Sequence, residues 1–291
     1  GVTPQFEELD LKEKYKVQDF FKRHQDIEGV IHFAASKAVG ESVEKPLSYY
    51  ENNVTTLVYI LQELQKLKHQ NFIFSSSCTV YGEADKLPIT ENLPIKPAES
   101  PYGNTKQIGE QILKDSCKIN SDLRTIALRY FNPIGAHSSS HIGELPQGIP
   151  QNLVPYITQT GIGLREQLSV YGNDYPTKDG TCIRDYIHVV DVAKAHVSAL
   201  NRLFTDKQDH NFEVFNIGTG EGSSVLEVIQ SFERISNQKL NYKIVCRRQG
   251  DIISAFADTN KVNTILGWKS RYSLDNAMLD AWKWEQKIRK K

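Results

Sequence analysis

Residues 71–82 of this chain read NFIFSSSCTVYG, a short apolar run that ends in three serines. Such a run, followed at once by small polar residues, is typical of a buried β-strand and the loop that leaves it. Similar runs occupy 28–34 and 124–131, and the stretches 54–67 and 106–119 carry apolar residues at helical spacing. This alternation predicts an α/β fold, a doubly wound parallel sheet with helices on both faces.

A tyrosine and a lysine lie four residues apart beyond this run, in the segment PYGNTK at 101–106. On a helix, positions i and i+4 share one face, so Lys106 can sit beside Tyr102, although many such pairs serve only helix stability. A free phenol has a pKa near ~10, and a nearby positive charge lowers it. We therefore expect Tyr102 to act as a general acid and base, with Ser77 beside it at the end of the strand.

The composition indicates a soluble protein with small-molecule partners. The 291 residues include 35 Lys and Arg against 35 Asp and Glu, so no basic field favours nucleic acid or a membrane surface. No apolar run approaches the ~20 residues that span a bilayer. The four cysteines form no Cys-x-x-Cys pair, and His137 and His141 lack a third ligand, so we expect no metal and a reducing, cytoplasmic location.

The texture of the chain changes after Asn132. Residues 137–150 are rich in Ser, Gly, His and Pro, which predicts a long loop leaving the first lobe. We expect residues 1–136 to form an incomplete Rossmann-like domain that binds NAD, and 137–291 to form mainly a smaller C-terminal substrate lobe. Part of 183–220 returns to the first domain in this interpretation.

Several segments follow one another in a familiar order: VIHFAASKAVGESVEKPLSYYENN (30–53), FIFSSSCTVYG (72–82), SPYGNTK (100–106), LRYFNPIGAH (128–137), PQGIPQNLVPYI (146–157), YGNDYPTKDGTCIRDYIHVVDVA (171–193) and RRQGD (247–251). From about Phe6 to about Trp284 the chain resembles the UDP-glucose 4-epimerases, which are extended short-chain dehydrogenases/reductases. The resemblance implies tightly bound NAD, the substrates UDP-glucose and UDP-galactose, and a homodimer formed through residues 53–67 and 102–119.

The resemblance also implies where the cofactor lies. A pair near the start of the chain would meet the adenine, small residues after the first strand would let the dinucleotide approach the backbone, and two aromatic residues would flank the nicotinamide. Lys37 would lie near the cofactor, although a lysine just past a strand is otherwise an ordinary solvated charge. The implied cofactor residues are Asp10, Leu11, Phe33, Ala34, Ala35, Lys37, Asn52, Tyr102, Lys106, Tyr130 and Phe131.

A grip on the nucleotide sugar is implied in the same way. Arg184 and Arg248 would hold the diphosphate, because a planar guanidinium binds phosphate oxygens bidentately. Read alone, Arg247 and Arg248 would be an exposed basic doublet. Tyr171 would meet the uracil, and Asp251 the uridine ribose. The implied substrate residues are Ser77, Asn132, Asn152, Leu153, Tyr171, Arg184, Arg248, Asp251 and Ala255.

Two related activities on the same fold have to be weighed. Nucleotide-sugar dehydratases carry an Asp-Glu pair after the strand-exit serine or threonine, where this chain has Cys78 and Thr79, so dehydration is disfavoured. A net dehydrogenase, which releases its reduced cofactor, is not excluded by the sequence. Ala255 falls near where epimerases restricted to UDP-glucose and UDP-galactose carry a tyrosine, so we expect room for N-acetylated sugars.

The start of the chain departs from the family pattern. The resemblance implies an opening strand, a glycine-rich turn and a helix that receive the cofactor pyrophosphate, and this sequence starts beyond them. We expect a fragment that lacks one βαβ unit, so a catalytically impaired nucleotide-sugar-binding protein is the alternative to an active enzyme. The glycines of 218–222 come late in the chain and are expected to serve a tight turn.

Overall fold

A parallel sheet stands at the centre of the computed structural model, which describes residues 3–248 and 251–290. The strands are β1 (Gly29–His32), β2 (Gln70–Ser77), β3 (Leu123–Tyr130), β4 (Asn132–Ile134), β5 (Leu168–Tyr171), β6 (Ile183–Arg184), β7 (Tyr186–His188), β8 (Phe212–Ile217), β9 (Ser223–Ser224), β10 (Tyr242–Val245) and β11 (Ser254–Ala255). β1, β2, β3 and β8 form the central sheet in that order, and all of their pairings are parallel. The predicted parallel sheet is confirmed.

Helices cover both faces of this sheet. They are α1 (Lys14–Arg23), α2 (Val39–Glu44), α3 (Pro46–Tyr50), α4 (Thr56–Leu64), α5 (Pro101–Ile119), α6 (Leu153–Gly161), α7 (Val189–Phe204), α8 (Val225–Ser236), α9 (Asn260–Ile265) and α10 (Leu274–Arg289). Apolar residues of α1, α4 and α5 pack on one face, and those of α7 and α9 pack on the other. The doubly wound, Rossmann-like arrangement follows from this packing.

Strand β2 shows why the apolar run of 71–82 specifies the fold. All eight of its residues are buried, as expected for a strand that has a neighbour on each side and helices above and below. Successive side chains point to opposite faces, so Phe72 and Phe74 join the cluster under α4 and α5, whereas Ile73 joins the cluster under α7.

The helix that carries Tyr102 and Lys106 begins earlier than its apolar spacing indicated. α5 starts at Pro101 rather than at residue 106, because the Ser100 side chain accepts a hydrogen bond from the Gly103 N–H at 3.1 Å and proline suits the first helical position. Tyr102 and Lys106 therefore lie on one helix, as predicted.

The helix predicted at 54–67 is confirmed over most of its length. α4 covers Thr56–Leu64, and a π-helical turn at Glu51–Thr55 precedes it. Such wide turns occur often at functional sites. A 3-10 turn, Cys78–Tyr81, follows β2 in the same region.

The later part of the chain builds a separate apolar cluster. Residues of α6, α8 and α10 pack there against β5 and the β4–β7 pair. β6 pairs with β9 and β11, and β5 pairs with β10. The residues between β4 and α6 contain neither helix nor strand, as expected for the loop predicted at 137–150.

Substitution of Gly109 tests the close packing of α5 on β2. A Cβ atom at Gly109 would lie 2.6 Å from Cζ of the buried Phe74, so Gly109→Ala is expected to cost about 1–3 kcal/mol of unfolding free energy. Urea unfolding followed by circular dichroism measures this loss. Gly40→Ala, on helix α2 with nothing within 4 Å of the added atom, is the matched control and is expected to leave stability unchanged or slightly raised. Equal midpoints for both variants would contradict the packing argument.

Candidate active site

The three residues expected to carry the chemistry meet where β2 ends. Ser77 is the last residue of β2; its Oγ accepts from the Thr79 N–H at 3.2 Å, and it lies close enough to Tyr102 to lower the pKa of that phenol. Lys106 is 4% exposed and donates from Nζ to the backbone oxygen of Ser75 at 2.8 Å. Its Nζ lies 5.7 Å from the centroid of the Tyr102 ring. The start of α5 and the end of β2 thus bring the phenol, the hydroxyl and the ammonium together.

The pKa of Tyr102 does not move in the direction expected. Burial raises the pKa of Tyr102 to about 12; the nearby Ser77 hydroxyl acts to lower this pKa, while Cys78 and Tyr49 act to raise it. Lys106 directs its ammonium at the Ser75 carbonyl, and its charge does not offset the desolvation of a phenolate. The expectation that Lys106 lowers this pKa is wrong for the chain by itself.

Of the two aromatic residues expected at the nicotinamide, Tyr130 ends β3 and Phe131 lies between β3 and β4. The Tyr130 hydroxyl donates to Ser75 Oγ at 2.9 Å and also hydrogen-bonds with the buried His196. Phe33, which follows β1 and is 59% exposed, places its ring 4.5 Å from the His196 ring. His196 therefore joins two expected cofactor contacts, although the sequence analysis did not single it out.

Phe131, the other expected nicotinamide neighbour, belongs to a small apolar cluster. Ala255 lies in the same cluster, and Cys78 packs against it. Both Phe131 and Ala255 are buried, at 5% and 6% exposure. The cluster thus connects the residue after the strand-exit serine with the position expected to set sugar specificity.

An asparagine with no distinguishing sequence pattern, Asn53, holds the loop after β1. Asn53 Oδ1 accepts from the Ser36 N–H at 2.8 Å, and its Nδ2 donates to the Ser36 oxygen at 2.9 Å and to Thr105 Oγ1 at 3.1 Å. Asn52, the predicted contact, donates to Ser36 Oγ at 3.3 Å. The exposed Ala34 and half-buried Ala35 lie just before this tether, which links the loop to the helix of Lys106.

The remaining cofactor predictions fall at two places. Asp10 is exposed and accepts from the Lys12 N–H at 2.9 Å, and Leu11 packs against the cluster under α1. In the described ranges, these contacts do not reach Tyr102 or Lys106. Lys37, in the loop after β1, pairs with Glu144 through a contact of 3.1 Å.

Arg184 and Arg248 share a carboxylate with each other. Arg248 donates from Nη2 to Asp251 Oδ1 at 2.7 Å, and Arg184 Nη2 lies 3.8 Å from the same oxygen. The guanidinium of Arg248 also lies 5.5 Å from the ring centroid of Tyr171. Four of the predicted substrate residues are therefore brought together, whereas Arg247 instead binds Asp174.

Four further predicted substrate residues lie at two places, two of them beside Arg184 and two at the start of α6. Asn132 donates its backbone N–H to the oxygen of Asp185 at 2.9 Å, and Ala255 pairs in register with Arg184 across β11 and β6. Asn152 and Leu153 lie at the start of α6, where Leu153 packs against the apolar cluster formed by α6, α8 and α10.

The glycine-rich segment 218–222 surrounds a buried carboxylate. Asp185 Oδ1 accepts from the Thr219 N–H at 2.8 Å, and Oδ2 accepts from the N–H groups of Gly220 and Ala257, each at 3.1 Å. The segment thus makes a turn around a side chain of this chain. The structural interpretation of these glycines is supported, and Asp185 holds the backbone next to Arg184.

Among residues 3–248 and 251–290, no three His, Cys, Asp or Glu side chains are grouped so that they could hold a metal ion. None of the helices described there is long and apolar enough to cross a membrane.

The chain is similar to known proteins over nearly its whole length. A family model described as GDP-mannose 4,6 dehydratase matches residues 2–280. A UDP-glucose 4-epimerase of Pasteurella multocida is 47% identical over 287 residues, which cover 99% of this chain and 84% of that protein. The chain belongs to the UDP-glucose 4-epimerase family. Membership also explains the dehydratase model, because both are extended short-chain dehydrogenases/reductases.

Solved structures of this epimerase family share the fold. The enzyme of Stenotrophomonas maltophila, crystallised with NAD and formylated UDP-arabinopyranose, matches with a TM-score of 0.93 at 44% identity, over 98% of this chain and 83% of that one. The enzyme of Bifidobacterium longum, in complex with NAD+ and UDP, matches with a TM-score of 0.91 at 42% identity, over 97% and 82% of the two chains.

The pH dependence of stability tests the burial of Lys106. Burial lowers its pKa from the ordinary 10.5 to about 8, against an opposing contribution from Glu110. Between about pH 8 and 10.5 the folded chain then binds fewer protons than the unfolded chain, so stability rises with pH across this window.

Comparison with Lys106→Met isolates this contribution. Wild type is expected to gain about 2 kcal/mol of unfolding free energy relative to the variant between pH 7 and pH 10, because each pKa unit is worth about 1.4 kcal/mol. Urea titrations at the two pH values measure the difference. Lys114→Met, at an exposed position of the same helix, is expected to follow wild type. If the unfolding free energies of wild type and Lys106→Met changed equally with pH, the lowered pKa of Lys106 in the folded chain would be contradicted.

Proposed function

We propose that this chain catalyses the reversible epimerisation of UDP-glucose and UDP-galactose at carbon 4 of the sugar, with NAD as a tightly bound cofactor. The observation that carries the proposal is the meeting of Tyr102, Ser77 and Lys106 at the carboxyl end of β2. In doubly wound sheets, ligands bind beyond this edge of the strands. The sequence identity to members of the epimerase family supports the same conclusion.

The residues at this edge fit a nicotinamide dinucleotide. An ammonium group has three N–H donors, and Lys106 uses one of them on Ser75, which leaves donors suited to ribose hydroxyls. Ala34 and Ala35 bring only methyl groups to the surface after β1, so a ligand can approach the backbone there. Phe33, supported by His196, offers an exposed aromatic face.

Bound at this edge, NAD would supply the acceptor, and later the donor, of the hydride at carbon 4 of the sugar. Tyr102 takes the proton of the 4-hydroxyl group, directly or through Ser77, and gives it back when the hydride returns. Because burial raises the pKa of Tyr102 to about 12, Tyr102 needs the positive charge of the oxidised ring, in addition to Lys106, to act as a base near neutral pH.

Arg184, Arg248 and Tyr171 hold the UDP part of the substrate. Their grouping around Asp251 gives two planar guanidinium groups for the diphosphate and an aromatic ring for the uracil. Binding of this remote part keeps the 4-keto intermediate in the site while the sugar turns over and presents its other face. Asn132, Asn152 and Leu153 are proposed to complete the contacts.

A dehydratase activity is disfavoured by the residues beside Ser77. Cys78 follows it directly, and burial raises the pKa of this thiol to about 11, so it offers neither the acid nor the base that removal of water needs. The catalytically impaired binding protein remains the second candidate. Conversion of UDP-glucose to UDP-galactose without added NAD tests the proposal; accumulation of reduced nicotinamide would indicate a net dehydrogenase instead.

The phenol of Tyr102 is expected to be indispensable for turnover and not for binding. Tyr102→Phe removes only the hydroxyl that carries the proton, so turnover should fall by about 10³-fold or more while UDP-glucose affinity stays within about threefold. Coupled assays and calorimetry measure the two quantities. Tyr15→Phe, at an 86% exposed tyrosine of α1, is the control and should change neither. A parallel loss of affinity would reject the acid–base role.

Ala255 is proposed to admit a 2-acetamido group, so UDP-N-acetylhexosamines are also substrates. Its small side chain lies in the buried cluster with Phe131, where a tyrosine would need far more space. Ala255→Tyr should lower kcat/KM for UDP-GlcNAc by about a hundredfold, because a bulky side chain there clashes with the acetamido group. Turnover of UDP-glucose by the same variant is the control, and an equal loss on both sugars would contradict the proposal.

The wider organisation is proposed on the family resemblance. Residues 1–136, with part of 183–220, form the cofactor domain, and 137–291 form mainly the substrate lobe. A homodimer assembles through α4 and α5, and sedimentation velocity distinguishes this assembly from a monomer. A cytoplasmic location fits the absence of cysteine pairing in the sequence.

A further inference from the structure

One carboxylate joins the cofactor side of the candidate site to its substrate side. Lys37 Nζ donates to Glu144 Oε1 at 3.1 Å, and Asn152 Nδ2 donates to the same oxygen at 3.0 Å. Lys37 follows β1, whereas Asn152 immediately precedes α6. Glu144 lies between them in the loop that connects β4 with α6, so a single side chain spans two predicted binding surfaces.

The backbone that carries Glu144 is anchored from the opposite direction. Trp284 on α10 donates from Nε1 to the backbone carbonyl oxygen of Glu144 at 2.8 Å. A Cβ atom at Gly143 would lie 2.4 Å from Cγ of the same indole, so only glycine lets the ring approach this closely. His137 N–H donates to the Ile142 oxygen at 3.0 Å and closes the loop before it. The carboxylate is therefore presented from a fixed backbone.

The same arrangement recurs at the other end of the site. Asp251 holds Arg184 and Arg248, as Glu144 holds Lys37. Each of these three expected ligand-binding cations thus has a carboxylate partner that limits its motion. Glu144 differs from Asp251 because it also holds a neutral ligand-binding group, the amide of Asn152.

We propose that Glu144 is a positioning residue that couples Lys37 to Asn152. The inference rests on the proposed function, because both partners are binding residues of that reaction. The ammonium of Lys37 fixes the carboxylate, and the carboxylate fixes the amide of Asn152 for the nucleotide. A change on the cofactor side then alters UDP affinity only through Glu144.

Calorimetry with UDP alone tests this coupling and requires no turnover. Glu144→Ala should weaken UDP binding about fivefold, the upper range for an exposed ion pair, and Lys37→Met about threefold. The double variant should bind about fivefold more weakly than wild type rather than about fifteenfold, because both changes act through one side chain. Glu166→Ala, at an exposed glutamate of the substrate lobe, is the matched control and should bind like wild type.

A conservative variant and steady-state kinetics separate positioning from folding. Glu144→Gln keeps an oxygen that accepts from Asn152, so it should retain more UDP affinity than Glu144→Ala. With UDP-glucose, Glu144→Ala should raise KM about fivefold and leave kcat within about twofold, because the carboxylate does not touch the reacting atoms.

Two results would overturn the inference while the proposed function stands: unchanged UDP affinity in Glu144→Ala, or multiplicative losses in the double variant of an active enzyme. The opposite combination, absence of epimerisation together with the non-additive UDP affinities, would overturn the proposed function and support the coupling.

Discussion

Burial of one ammonium group beside a phenol is the constraint on which the candidate site depends. Withdrawing a charge from water costs several kcal/mol, and the chain offsets this for Lys106 with the Ser75 carbonyl and the ring face of Phe74, whose centroid lies 5.1 Å from Nζ. Both partners belong to β2. α5 must therefore approach β2 closely, and Gly109 permits that approach one turn further along the helix.

The substrate side is assembled on a different principle. Two like-charged guanidinium groups repel each other, yet Arg184 and Arg248 converge because Asp251 lies between them. Asp185, next in sequence to Arg184, is enclosed by backbone N–H groups and fixes the strand that presents this arginine. Arrangement of the charges before binding reduces the ordering that a nucleotide diphosphate must impose.

The parts of the structure that depend on local pattern followed from the sequence. The apolar runs gave the order of strands and helices, and the spacing of Tyr102 and Lys106 placed both on one helix. Contacts between distant segments did not follow, since neither the tether of Asn53 to Ser36 nor the bridge from Lys37 to Glu144 has a periodic signal. The prediction of a lowered pKa for Tyr102 was wrong for a related reason. The spacing of the residues indicated Lys106 as a neighbour, but it did not indicate how deeply the phenol is buried.

The π-helical turn at Glu51–Thr55 has a consequence for insertions and deletions. In an ordinary helix, consecutive side chains diverge by about 100° and do not meet the same partner. Here Asn52 and Asn53 both reach Ser36, Asn52 through Oγ and Asn53 through the backbone, in a turn that holds one residue more than an α-helical turn. Removal of one residue from this turn would rotate α3 relative to α4 and separate Asn52 from Ser36, so we expect a deletion here to release the loop after β1.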